Sequence, residues 1–378
     1  MKSLWLLLSV IFISSCDIKQ SEPASSFLPK QQLMDITIDD EDYVQLLENK
    51  LQNLEFPISI QYNDGLYTGL LRSSGAASRI NSRWSFRIQL NDAQTINELN
   101  VFNLSAQIFD PTLLATDVAS YYYQQAGFPS FKHSHIFLRI NGKDEGLKKM
   151  IEKVDVNFFE KRQLEVSELF KSGSQISFSF QTGNPDSLPQ SSFDKKIPNN
   201  ENYNTLDQLY YALDSKEIRN TTNSIEQNLD IKQYLKYHAI TSFINNLDAF
   251  RNNFFLWKTN ASAPIKIIPW DYDWAFKRTQ SVGLYGHNAI IHIMLKDQEM
   301  FEFYKLELEN LMTNVDLERD VFPIIDAKAL EIKRAYELDP FLNEIYDFEE
   351  ETNKLKIFIT ERKAFYIQQL NNFVYTGG

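Results

Sequence analysis

Asn246-Leu247-Asp248-Ala249-Phe250-Arg251-Asn252-Asn253-Phe254-Phe255-Leu256-Trp257, followed after a short spacer by Pro269-Trp270-Asp271-Tyr272-Asp273, is the densest run of chemistry in the chain. Ile265, Ile267 and Ile268 give residues 265–268 a β-branched character closing on Pro269-Trp270, which predicts a strand. Asp271 and Asp273 then leave its end at i, i+2, on one side, a spacing that can direct two hard oxygen ligands to Mg²⁺ or Mn²⁺. An acid directly after Ile-Ile-Pro-Trp stands where the chain is expected to be buried, and an unpaired carboxylate there is costly.

Outward from this stretch the chain reads mainly as helix. Asp230 can cap residues 231–244, whose Ile231, Tyr234, Leu235, Ala239 and Ile240 share one side. Further helices are expected at 298–312, 326–336 and 349–370. Residues 181–204, rich in Pro, Asn, Ser and Asp, are the expected internal boundary. Before it, residues 56–61, 67–72, 84–90, 135–140 and 175–180 read as strands separated by turns, and 111–125 as a helix started by Asp110-Pro111. A helix or turn is expected across 35–54, with Asp39-Asp40-Glu41 at its start. The fold class is therefore α+β with two lobes: a sheet-rich N-terminal lobe over about 55–180 and a mainly helical C-terminal lobe over about 205–372.

The N-terminus carries a different signal. Met1-Lys2-Ser3 precedes an apolar run from Leu4 through Ile13, too short for a permanent span of about 20 residues and suited to a signal peptide. Ile13-Ser14-Ser15-Cys16 resembles the lipobox of bacterial prolipoproteins. The expectation is a signal peptide over 1–15, lipidation on Cys16, a flexible tether over 16–31 and a folded domain over 32–375 in the bacterial cell envelope, anchored to a membrane and facing outside the cytoplasm. Cys16 is the only cysteine, which excludes an intramolecular disulfide. With 38 basic and 50 acidic side chains, net −12, the chain is not expected to bind nucleic acid. Gly-x-Ser-x-Gly, His-Glu-x-x-His, Walker and dinucleotide-binding motifs are missing from the sequence. His133-x-His135 could hold a metal but has no third ligand nearby in sequence.

Asp248 to Asn253 repeats the five-residue offset of a kinase catalytic loop, where the Asp accepts the attacking hydroxyl's proton and the Asn oxygen helps hold Mg²⁺. Asp248 taken alone also fits a surface residue ending a helix. Together with Leu138-Arg139-Ile140-Asn141-Gly142 leading to Glu152 and Asn157-Phe158-Phe159, and with Gly75, Ser78 and Arg79 followed by Ser85-Phe86-Arg87, the stretch resembles the spore coat protein H (CotH) kinase family. These are atypical secretory-type protein kinases found in exported bacterial proteins. The resemblance runs over about 55–372 and includes Phe358-Ile359 and Arg362.

The resemblance implies an atypical protein-kinase-like fold and a metal-dependent transfer of the γ-phosphoryl group of ATP, or another nucleoside triphosphate, to Ser or Thr of an exported protein. Asp248 would act as the base or orient the acceptor, and Asn253, Asp271 and Asp273 would hold Mg²⁺ or Mn²⁺. Gly75, Ser78, Arg79, Arg83, Glu152 and Lys171 would serve the nucleotide. The chain departs from the family in three places. Arg83 stands where a Lys is usual, and a planar fork is not equivalent to a compact ammonium at a phosphate. The aromatic that commonly follows the second glycine after Asn141 is missing, and Trp274-Ala275-Phe276-Lys277 lacks the usual Gly. A noncatalytic lipoprotein binding a protein or surface glycan is the alternative reading; a carboxylate-based glycan hydrolase is a third.

Overall fold

The fold was read from a computed structural model that describes residues 24–173, 176, 178, 188–213, 218–278 and 281–377. Cys16 and the expected signal peptide lie outside the described residues.

Seven strands, β1 (Leu33–Ile38), β2 (Phe56–Tyr62), β3 (Gly65–Ser74), β4 (Ser85–Leu90), β5 (Val101–Ser105), β6 (His133–Ile140) and β7 (Lys143–Glu152), close into a barrel in the order β1-β2-β3-β4-β5-β7-β6. Alternation drives it: in β2, Phe56, Ile58, Ile60 and Tyr62 turn inward while Pro57, Ser59 and Gln61 face out. Met34, Ile36, Ile60, Leu71, Ile88, Phe102 and Leu138 are among the residues filling the interior, each fully buried side chain contributing about 1.5–3 kcal/mol. The β6–β7 hairpin turns on Asn141 and Gly142, both at positive φ.

Two expectations shift here. Residues 35–54 hold the end of β1 followed by α1 (Asp40–Glu48), not one local helix or turn. Met34, Ile36 and Ile38 pair opposite Tyr62, Ile60 and Ile58; the acids that follow β1, and Asp35 within it, obscure its short alternation. The helix expected at 111–125 begins later, as α2 (Ala115–Gln125), because the Asp110 carboxylate first accepts hydrogen bonds from the Thr112 and Ala115 backbone N–H groups.

After α3 (Val156–Lys161), the strands β8 (Glu168–Ser172), β9 (Phe193–Ile197), β10 (Phe254–Lys258) and β11 (Lys266–Pro269) form a second sheet in the order β11-β10-β8-β9. The strand expected at 175–180 falls mostly outside the described residues; the strand found nearby is β8. Strand β9 lies inside the stretch read as boundary. Its Lys195 turns inward to Glu168 at 2.9 Å, a buried ion pair that polar composition disguised.

Helices α4 (Pro189–Ser192), α5 (Asn204–Leu213), α6 (Ile218–Asn228), α7 (Ile231–Phe243), α8 (Ala289–Met294), α9 (Gln298–Asn314), α10 (Phe322–Glu337) and α11 (Phe348–Leu370) complete the second lobe. Asp230, Asp297 and Asp347 cap α7, α9 and α11 through side-chain oxygens that accept from backbone N–H groups. Arg362 of α11 donates to the Ser242, Phe243 and Val282 carbonyls, tying the last helix to the end of α7 just before residues 246–253. No described helix is long and apolar enough to cross a membrane.

Candidate functional site

Helix α7 ends in a turn that delivers Asp248 to the space between the lobes. One carboxylate oxygen accepts from the Asn252 side-chain amide and the other from the Asn253 amide, each at 2.6 Å. This double engagement fixes the carboxylate plane. Burial nevertheless holds the Asp248 pKa above its ordinary value, with the two amide bonds pulling the other way. Asn253 sits at φ 58°, a left-handed conformation that Asn tolerates, and its carbonyl accepts from the Trp270 N–H at 3.0 Å. The turn holding Asp248 is thereby locked to the end of β11.

Asp271 follows β11 at φ 55°. Its carboxyl is pushed up to about 6, first by burial, with Asp248 adding to the rise and Lys171 opposing it. Asp273 is driven well above the carboxylate range by burial and then by Asp271, Asp110 and Asp248. Lys171, in register with Phe255 on the neighbouring strand, is open to the cavity. The surrounding protein lowers its pKa, and Asp271 resists the drop. Three carboxyl groups whose pKa values are all raised, first by burial, thus stand in one cavity with one ammonium among them.

These side chains line one cavity of about 380 Å³. Its roof comes from the barrel: the Ser74 to Ser78 turn, Ser85 of β4, and Asn103 and Ser105 of β5. Gly75 takes φ +77°, and an added Cβ there would meet the Ser78 hydroxyl at 2.5 Å. That hydroxyl donates to the Ser74 carbonyl at 2.8 Å, folding the turn over the cavity. Phe109 and Trp274, 4.9 Å apart edge to face, form the wall near Asp273.

The structure thus brings Gly75, Ser78, Lys171, Asp248, Asn253, Asp271 and Asp273 together, and it leaves three residues of the expected set elsewhere. Arg79 donates to the Leu51 and Ser73 carbonyls and to Asn53, bracing the β3–β4 turn from outside. Arg83 is buried with its guanidinium on the Leu147 carbonyl of β7 at 2.9 Å, inside the barrel lobe, and 3.9 Å from the Asp339 carboxylate of the second lobe, so its charge serves that contact. Glu152, only 2% exposed, pairs with Arg162 at 2.5 Å and accepts from the Lys132 N–H at 2.9 Å. His133 and His135 flank Asp117, which also holds the buried Lys149 at 2.5 Å. Asn252, Ser85, Asn103 and Ser105 were missed. Asn252 stood in plain view beside Asn253; the strand bearing Asn103 and Ser105 alternates, but over only five residues, too few to stand out from the chain around it.

Among the described residues no three His, Cys, Asp or Glu side chains converge as a preformed cation cage. The donor set of Asp248, Asn253, Asp271 and Asp273 is all hard oxygen apart from the amide nitrogen of Asn253, which is spent on Asp248. It fits Mg²⁺ or Mn²⁺ shared with ligand oxygens and does not suit a soft metal.

The family model described as CotH kinase protein matches residues 71–366, and the chain belongs to that family. Inner spore coat protein H from Bacillus subtilis (strain 168) is 24% identical over 294 residues, covering 74% of this chain and 81% of that protein. Among solved structures, the Helicobacter pylori proinflammatory kinase CtkA is 11% identical, covering 74% of this chain and 90% of that one, with a TM-score of 0.31. The HipA, HipB and operator DNA complex of Shewanella oneidensis MR-1 contributes a chain 11% identical, with coverages of 93% and 76% and a TM-score of 0.33. The Golgi casein kinase is 8% identical, with coverages of 89% and 72% and a TM-score of 0.32.

Proposed function

We propose that this member of the CotH kinase family is a phosphotransferase dependent on Mg²⁺ or Mn²⁺ that moves the γ-phosphoryl group of ATP, or another nucleoside triphosphate, to a Ser or Thr hydroxyl of an exported protein, while held at a membrane by lipid on Cys16. The observation that carries the reading is the Asp248 carboxylate clamped by Asn252 and Asn253 in the same cavity as Asp271. Asp248 then orients the acceptor hydroxyl and takes its proton, a role that its raised pKa favours. Asp271, Asp273 and the Asn253 oxygen hold the cation, which when bound neutralises phosphate charge. Lys171 offers a further positive charge to the transferred group, and the Ser74 to Ser78 turn covers the phosphates from above.

A second reading has its own support. Arg83 is committed to the Leu147 carbonyl and to Asp339 across the lobes, which leaves the motif's usual cation away from the cavity. The same cleft would then bind a protein or surface glycan without transfer.

Calorimetric titration with ATP and Mn²⁺, combined with radiolabel transfer to exported proteins, separates the two. Wild type is expected to bind nucleotide only with the metal. Asp271→Asn should lose that binding. Asp248→Asn should keep it while transfer falls at least a hundredfold. Wild-type protein that binds no nucleotide under any metal condition would replace the transferase with the noncatalytic binder.

A further inference from the structure

Arg87 stands on the face of the barrel that roofs the cavity. It follows Ser85 at i, i+2 on β4 and lies in register with Asn103 of β5, and Ser85 and Asn103 both line the space that holds Asp248 and Asp271. Residues placed in this way share one face of a sheet. Phe86 and Ile88 take the other face and fill the barrel interior, which leaves the Arg87 side chain half-buried on the cavity side.

Lys171 faces it from the second sheet, where it lines the same cavity and is open to it. The surrounding protein lowers the Lys171 pKa first, Asp271 resists, and Lys196 and Arg87 add to the drop, so the guanidinium lies within electrostatic reach of the ammonium. Among the described residues neither cation is in a hydrogen bond or an ion pair. The acids that act on Arg87 are engaged elsewhere, Asp155 by Lys153 at 3.3 Å and Glu55 by Arg72 at 3.5 Å. The Asp194 carboxylate near Lys171 pairs with Lys196.

Two unpaired cations, one on each side of a cleft, are stabilised by an anion that reaches both. A guanidinium fork matches the paired oxygens of a phosphate, and an ammonium meets a phosphate as a point charge. Asp271 and Asp273 share the cavity, and a hard cation held there bridges carboxylate to phosphate oxygens. A ligand that meets the fork, the ammonium and the cation together carries several phosphates in a row.

We infer that Arg87 and Lys171 form a clamp for a linear oligophosphate, one cation from each lobe, and that the clamp grips the phosphate chain whether or not a nucleoside is attached. The clamp rests on the phosphotransferase reading of this cavity and deepens it: Arg87 supplies from β4 the roof charge that Arg83 spends on Leu147 and Asp339.

The probes are inorganic tripolyphosphate and ATP, each titrated with Mg²⁺ into the full chain by calorimetry; the pair separates a free oligophosphate from the tail of a nucleotide. Arg87→Gln and Lys171→Gln should each weaken both probes by about tenfold or more, and Arg87→Lys should recover part of the loss. Arg72→Gln, in register with Arg87 on β3 but paired with Glu55, should stay within about twofold of wild type. Thermal melts check folding, and Lys171→Gln carries the test should Arg87→Gln not fold. Tripolyphosphate binding that needs Arg87, with no binding of ATP, upholds the clamp while removing the nucleotide from the phosphotransferase reading. ATP binding that is lost in Asp271→Asn yet indifferent to Arg87→Gln overturns the clamp and leaves that reading intact. Equal losses in Arg72→Gln, or no binding of either probe by wild type, also overturn the clamp.

Discussion

Asp339, in the turn after α10, accepts a hydrogen bond from the Leu147 N–H of the barrel at 2.6 Å, in room left by the missing side chain of Gly146. The other carboxylate oxygen accepts from the Phe341 and Leu342 N–H groups, so one side chain organises its own turn and joins the two lobes. A Cβ at Gly146 would stand 2.5 Å from that carboxylate, on a backbone already at φ +78°. Gly146→Ala should therefore lower stability by about 2–4 kcal/mol in urea unfolding; an unchanged midpoint would mean that the lobes meet differently.

Lys148 is wholly buried beside the same contact, and its ammonium has no hydrogen-bond partner. Burial, and then Arg83, lower its pKa to about 7 against the pull of Glu145 and Asp339. A lysine depressed in this way gives its full stability only above its unfolded value of 10.5, and that stability is lost as pH falls through about 7. Lys148→Met should therefore melt higher than wild type at pH 6, by the equivalent of about 2–4 kcal/mol, with the gap closing towards pH 10. A constant gap across that range would show that the ammonium is not the cause.

Glu152 tests the reassignment of an expected nucleotide residue to an architectural one. Removing it leaves Arg162 without its carboxylate and the Lys132 N–H without an acceptor. Glu152→Ala should cost about 3–5 kcal/mol of stability, while the folded variant's nucleotide affinity stays within about twofold of wild type. A stable variant that no longer binds would restore its place in the site.

The pH response of Asp271 is opposite in sense to that of an ordinary paired carboxylate. Its folded pKa of about 6 lies above the unfolded 3.8, so its contribution to stability is present below 3.8 and lost as pH rises through 6. Without divalent cation, Asp271→Asn should raise the melting temperature at pH 7.5 and have little effect at pH 3.5. Mn²⁺ affinity of wild type should weaken as pH drops below 6, by up to about tenfold per unit, because metal and proton compete for one carboxylate. Titrations at pH 5 and 7 that give equal affinity would exclude Asp271 as a ligand.

Cys16→Ser should abolish metabolic labelling with palmitate and leave the precursor uncleaved. Labelling that persists would remove the lipid anchor from the account.

The parts legible in sequence were those fixed by local spacing. Asp248, Asn253, Asp271 and Asp273 sit in two short segments, and pairing of β10 with β11 alone brings these together: Phe254 lies opposite Pro269, placing Asn253 beside Trp270. Strand β2 announced itself by perfect alternation. What could not be read were choices settled by tertiary partners. Arg79, Arg83 and Glu152 are ordinary charged residues near motif positions, and only Asn53, Leu147 and Arg162, distant or unremarked in sequence, decide that they are spent on architecture. Lys195 looked like loop polarity until Glu168 appeared across the strand pair.

Closure of the barrel through β1 and β6 imposes an order on its assembly. Met34 and Ile36 find their parallel neighbours only at Leu138 and Ile140, after every intervening strand but β7 has been made. Such distant pairing is slow to form, because the chain must lose loop entropy before any contact repays it. Strands β1 and β2 therefore present Met34, Ile36, Ile58 and Ile60 as an unsealed apolar seam, open to wrong partners until the β6–β7 hairpin arrives. The sticky interval ends with that hairpin, and it is the stage at which a chaperone has most to protect.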